Sequence, residues 1–275
     1  MSRQEIFSRL DRQAYTSPAY TRPGSERWLF AIRTFERVFH KRGELLIGVN
    51  NIMRILDDIA DGDLPPPDGY TSISYLQRKR EFIQNQHEPE DELDHYLKYC
   101  TNVARLSGFE IEEELGCFFT YFLFDAARLG TGRIFPQADL DVAFNACARG
   151  TIGGMLKVFG ESENKVEFFL PLGRAVLTHY TLRDFNSDIT HGLANISLEA
   201  FSEHGIKPKG PFDRFSPGVR SWFNSQAVLG LNLLEQHRQA IRNISLPLLL
   251  KKVMLPTLYE KPAREYFNGV LVEGK

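Results

Sequence analysis

Apolar residues return at every third or fourth position through most of this chain, and nowhere do they alternate with polar ones over the length of a strand. The stretch 25–39 carries Trp28, Leu29, Ile32, Phe35, Val38 and Phe39, and 45–60 carries Leu45, Ile47, Val49, Ile52, Ile55, Leu56 and Ile59. Both spacings place the apolar side chains on one face of a helix. Ser25 followed by Glu26 offers a helix start, Gly43 separates the two segments, and Gly62 with Pro65, Pro66 and Pro67 stops the second. The same periodicity predicts helices over 73–85, 90–107, 111–128, 137–156, 163–188, 198–202, 217–244 and 262–267. The joints at 62–69, 129–136 and 205–218 are short, so the expectation is one all-α domain over 1–275 rather than separate modules. No solenoid-type repeat or low-complexity segment is present.

Charge and cysteine content narrow the function. With 33 Lys+Arg against 35 Asp+Glu, the net charge is -2, so there is no basic excess to attract nucleic acid. Cys100, Cys117 and Cys147 have no metal-type spacing and are too few to staple 275 residues. They read as small buried hydrophobes in a reducing, cytoplasmic setting. The first ten residues, with Arg3, Glu5 and Arg9, lack the apolar core of a secretory signal. The most apolar run, 244–258, is broken by Pro247, Lys251, Lys252 and Pro256, so no membrane span is expected. Lys251 and Lys252 among leucines leave two readings open, a solvated helix face or peripheral contact with an anionic membrane.

Within 45–60 and just beyond it, Arg54, Asp57 and Asp61 fall at i, i+3 and i+7, which stacks two carboxylates and a guanidinium on one helix face. Alone, such a motif reads more readily as a solvated acidic helix end. A second copy changes the balance: Arg183, Asp184 and Asp188 again set two carboxylates four residues apart with an arginine alongside. Like charges stacked this way destabilise a helix unless a positive charge joins them. Mg²⁺ suits the role, because it needs few carboxylates and takes the rest of its shell from water and phosphate. Two such faces suit a diphosphate, with the arginines adding charge-assisted hydrogen bonds. The apolar flanks of both motifs suit a hydrocarbon chain and its carbocation.

At these residues the chain resembles the squalene/phytoene synthase family, from about 33 to 258. Arg54, Asp57 and Asp61 match the family's R-x-x-D-x-x-x-D. The stretch 172–188 (L-G-R-A-V-L-T-H-Y-T-L-R-D-F-N-S-D) is similar to L-G-x-A-x-Q-L-T-N-I-L-R-D-x-x-x-D. Asn195-Ile196-Ser197-Leu198 resembles R-I-Y-L-P, 202–206 resembles the helix end H-G-I, and 150–153 (G-T-I-G) resembles A-G-T-V-G, whose small residues let substrate approach the backbone. Arg33-Thr34-Phe35 resembles K-S-F. The resemblance implies an isoprenoid-synthase bundle of roughly ten helices around a central apolar cavity, with Asp57/Asp61 and Asp184/Asp188 facing across its mouth. It implies Mg²⁺ held by these four aspartates, diphosphate contacts from Arg33, Arg54 and Arg183, and a prenyl diphosphate, farnesyl or geranylgeranyl, as substrate.

Departures from the family pattern bear on the second substrate. Leu177 and Tyr180 replace a glutamine and an asparagine, Phe144 and Ser197 replace tyrosines, and Ala31 replaces a histidine. Head-to-head coupling of two prenyl diphosphates is the first expectation, with Tyr180 or the diphosphate taking the proton. A terpene cyclase or a transferase with another acceptor stands as the alternative, and a non-catalytic assembly module as the third. His179 reads as a helix-face residue. Phe118, Phe119, Tyr121, Phe122 and Phe124 read equally as core or as a hydrocarbon tunnel, Asp125 as a cavity or a surface group, and Gly48 as a point of close packing. No dinucleotide fingerprint is present, so a reductive second step has no support.

Overall fold

A computed structural model describes residues 3–17, 34, 40–85, 87–207, 212–242, 244–246 and 250–273. The helices are α1 (Arg3–Tyr15), α2 (Lys41–Asp61), α3 (Ser72–Asn85), α4 (Glu92–Leu106), α5 (Glu112–Arg128), α6 (Gln137–Val158), α7 (Val166–Thr190), α8 (Leu198–His204), α9 (Pro217–Ala240) and α10 (Lys261–Glu273). A short 3₁₀ turn, Glu163–Lys165, precedes α7, and a π-helical segment, Leu250–Glu260, runs into α10. No strand occurs among the described residues, as the periodicity predicts. The expected helix over 25–39 lies outside the described residues except for Thr34, and Arg33 lies outside them too.

The chain divides into two compact units, Met1–Ala127 with Gly153–Glu163, and Arg128–Ile152 with Asn164–Lys275. In the first unit α2 packs on α1, α3 and α4, and α1 also touches α4. The core holds Leu45, Ile52, Leu56, Leu76 and Leu97, all wholly buried. Gly48 brings α2 close to α4: a Cβ there would stand 2.8 Å from Cys100 Sγ and 3.2 Å from the Tyr96 ring. Gly62 ends α2 in the left-handed region at φ 82°, which a residue without a side chain adopts at little cost. Asp91 caps α4 by accepting from the Asp94 backbone N–H at 2.9 Å.

In the second unit α7 lies along α9, and α10 packs on both. Phe185 of α7 meets Phe223 edge-on at 5.0 Å and Trp222 at 5.9 Å. Pro217 opens α9 at a position where its missing N–H is not needed. Pro256 sits inside the π-helical segment. A proline has no N–H to donate to the ordinary i to i-4 bond. Among the described residues no helix is long and apolar enough to cross a membrane. The side chains of Lys251 and Lys252 lie outside the described residues.

Periodicity alone did not mark α1. Leu10 and Ala14 are its buried contacts, while polar residues fill most of the remaining positions. Its docking is polar: Asp11 accepts from Asn51 Nδ2 at 2.8 Å and from the Tyr96 hydroxyl at 2.7 Å. Burial, with Asp11 nearby, raises the Tyr96 phenol far above its ordinary pKa, so it remains a donor.

Candidate functional site

In the first unit, the face of α2 opposite its buried stripe carries the first acidic motif. Leu45, Ile52, Ile55, Leu56 and Ile59 are buried, whereas Arg54, Asp57 and Asp61 are half-buried. Arg54 Nη1 donates to Asp57 Oδ2 at 2.7 Å, so the arginine already neutralises part of the like-charge stack. The neighbouring Asp58 accepts from the Ser17 hydroxyl at 2.9 Å, which ties the end of α1 to this turn.

Gly153, the last residue of the G-T-I-G segment, has a packing role in the same unit. A Cβ at Gly153 would stand 2.9 Å from Glu114 Oε1. That carboxylate is buried and accepts from Lys157 Nζ at 2.7 Å, and Lys157 also pairs with Glu163 at 2.8 Å. The absent side chain at Gly153 is therefore space that Glu114 fills. On α5, Phe119 and Phe122 are buried while Phe118, Tyr121 and Phe124 are half-buried. Asp125 is only 2% exposed, which removes the surface reading.

In the second unit, α7 turns Phe169, Leu172, Ala175, Leu182 and Phe185 inward and leaves Tyr180, Asp184 and Asp188 half-buried and Arg183 exposed. Arg183 grips Asp184 with Nε at 2.8 Å and Nη2 at 2.7 Å, and its guanidinium lies 4.5 Å above the Tyr180 ring. The Tyr180 phenol thus supports Arg183 from below. Asp188 accepts from Asn195 Nδ2 at 3.1 Å. Behind it, Arg128 is 1% exposed and donates to Asn195 Oδ1 at 2.6 Å and to the Ala194 carbonyl at 3.1 Å. Ser197 caps α8 by accepting from the Ala200 N–H.

His179 is buried, with the Tyr266 ring at 4.8 Å and the Tyr180 ring at 5.3 Å. Burial, with Arg183 nearby, pushes its pKa down to about 4, so it is neutral near pH 7 and too weakly basic to hold a proton there. Tyr266, unmarked in the sequence because it lies 82 positions beyond Asp184 on another helix, has a buried hydroxyl without a hydrogen-bond partner among the described residues. Burial raises that phenol's pKa, and Arg214, Asp184 and Arg183 act on it electrostatically.

Among the described residues no three His, Cys, Asp or Glu side chains gather into a metal-holding group. Two carboxylates per face is nevertheless the donor set that Mg²⁺ uses when phosphate oxygens complete its shell. The oxygen-only chemistry of Asp57 with Asp61, and of Asp184 with Asp188, fits a hard cation of this kind.

No family model matches the chain, and no curated protein does. Two solved structures match almost end to end. Squalene synthase HpnC from Alicyclobacillus acidocaldarius is 13% identical, with a TM-score of 0.71 over 99% of this chain and 95% of that one. A dehydrosqualene synthase in complex with ligand is 15% identical, with a TM-score of 0.64 over 98% of this chain and 97% of that one. The chain has the all-α fold of squalene and dehydrosqualene synthases.

Proposed function

We propose that this protein is a Mg²⁺-dependent enzyme that ionises farnesyl or geranylgeranyl diphosphate and couples two prenyl chains head to head. The observation that carries this reading is the repeated face of one arginine and two aspartates, Arg54 with Asp57 and Asp61, and Arg183 with Asp184 and Asp188, in a chain of this fold. Asp57, Asp61, Asp184 and Asp188 would hold the metal, which when bound offsets the charge of the diphosphate and eases its departure. Arg54 and Arg183, with Arg33 as a third, would donate to phosphate oxygens. The Tyr180 ring holds the Arg183 guanidinium in place, and its hydroxyl is the chain's candidate for relaying the proton lost after coupling, taking it as it passes its own proton to the released diphosphate. Contact with a membrane surface would suit a lipid-soluble product.

A second reading, a cyclase or a transferase with another acceptor, is favoured by one observation: the Tyr180 ring underlies Arg183 where the family has an amide. The test is incubation of the purified protein with Mg²⁺ and farnesyl or geranylgeranyl diphosphate, alone and mixed, followed by mass analysis of extracted hydrocarbons. A product with twice the substrate's carbon number supports coupling. A product with the substrate's own carbon number supports the cyclase, and release of diphosphate only with an added acceptor supports the other transferase. No diphosphate release from any substrate overturns the enzymatic reading in favour of an assembly module.

A further inference from the structure

Arg128 is among the largest wholly buried side chains in the protein, and the reaction proposed above gives it no task. A guanidinium has donors and no acceptor, so whatever lies against it must accept. It meets Asn195 Oδ1 at 2.6 Å and the Ala194 carbonyl at 3.1 Å. The first contact settles which way the Asn195 amide points: its oxygen faces Arg128, and its Nδ2 group is left to donate on the other side. There it meets Asp188 Oδ2 at 3.1 Å, a carboxylate that can only accept. Donor and acceptor types therefore agree along the whole row, and a flipped amide would set two donors against each other at one end and two acceptors at the other.

We propose that Arg128 is a positioning residue for the second acidic motif, acting through the Asn195 amide to fix the orientation of the Asp188 carboxylate. The two ends of the row come from elements far apart in sequence: Arg128 closes α5, Asn195 lies in the segment between α7 and α8, and Asp188 is in the last turns of α7. Arg128 also grips the Ala194 carbonyl beside Asn195, so the backbone and the side chain are held together. The bond to Asp188 Oδ2 constrains the direction in which the carboxylate presents its lone pairs, which is how partners behind a ligand tune metal affinity. This inference rests on the reading of Asp188 as a metal ligand.

The test uses the full-length protein with Mn²⁺ as the probe metal and inorganic diphosphate, read by electron paramagnetic resonance, so no turnover is needed. Asn195→Leu keeps the volume of the side chain and removes both bonds. It is expected to weaken Mn²⁺ binding by roughly tenfold to a hundredfold, the usual effect of removing a partner behind a ligand. Arg128→Lys, which keeps a buried donor, is expected to lose less than Arg128→Met. If the row acts as a unit, combining Arg128→Met with Asn195→Leu weakens binding no further than Asn195→Leu alone. A second readout is the Asn195 side-chain amide signal in protein labelled with ¹⁵N-asparagine. Slow hydrogen exchange in the wild type that becomes fast in Arg128→Lys or Arg128→Met supports the relay.

Wild-type Mn²⁺ affinity in a folded Asn195→Leu protein overturns the proposal, as does an Asn195 amide whose exchange ignores Arg128. A wild type that binds Mn²⁺ and diphosphate but releases diphosphate from no prenyl substrate overturns the proposed reaction and leaves the relay standing. A wild type that takes up no Mn²⁺ overturns both.

Discussion

Arg183 and Asp184 are adjacent in sequence, yet the guanidinium folds back to hold its neighbour's carboxylate through two nitrogens at 2.8 and 2.7 Å. A fork of this kind fixes the carboxylate in direction as well as in charge. Asp184→Asn keeps the size of the side chain and removes the charge. It is expected to lower Mg²⁺-dependent diphosphate release by about a hundredfold or more while the helical circular dichroism stays unchanged. Full turnover in this variant would remove Asp184 from the site. Asp57→Asn makes the equivalent test of the first motif, whose Arg54 contact is a single bond at 2.7 Å.

Lys79 and Asp94 are both fully buried and stand 2.6 Å apart, with Asp91 also accepting from Lys79 and with Arg78 bonded to both aspartates. Lys79→Met would leave the buried Asp94 carboxylate without its closest counter-charge. The expected cost is about 3–5 kcal/mol, read as a fall in the urea midpoint without a change in slope. A loss below 1 kcal/mol would mean that Arg78 alone neutralises the pair.

His179 sets a pH dependence whose sign follows from its burial. In the unfolded chain it gains a proton near pH 6.5, whereas the folded protein resists until about pH 4. Between those values the unfolded state binds more protons, so stability falls as pH falls, by about 3 kcal/mol in total at this site, and the contribution is constant below the window. His179→Phe, which retains an aromatic ring beside Tyr266 and Phe267, removes that contribution. The stability difference between wild type and variant, followed from pH 7 to pH 4, is expected to shift against the wild type. A difference independent of pH would mean that His179 takes up its proton in the folded state at the same pH as in the unfolded chain.

The buried Tyr266 hydroxyl has no hydrogen-bond partner among the described residues, so Tyr266→Phe deletes a polar atom whose burial already costs free energy. The urea midpoint is expected to stay level or rise. Because Asp184 and Arg183 both act on this phenol, the same change is expected to raise KM for the prenyl diphosphate about fivefold, the effect of one lost hydrogen bond. Lower stability with unchanged KM would assign the hydroxyl a structural partner instead.

What the sequence determined by itself is what depends on neighbours along the chain. A helix brings residues three and four apart onto one face, so the acidic motifs at Asp57/Asp61 and Asp184/Asp188 and the helical periodicity were legible without coordinates. Caps are local as well: Gly62 and Pro217 sit where their backbone preferences place them. α1 escaped because its docking relies on Asp11 reaching Asn51 and Tyr96, and an aspartate on a polar helix looks like a solvated residue. Lys79 and Arg128 escaped for the same reason, since a long cation carries no local sign that its counter-charge waits elsewhere. Only tertiary structure brought Arg128 to Asn195 across 67 positions, filled the space at Gly153 with Glu114 and set Tyr266 beside His179. Those contacts join residues that periodicity does not relate, and burial makes each of them matter, because a polar group withdrawn from water must find its partner wherever the fold supplies one.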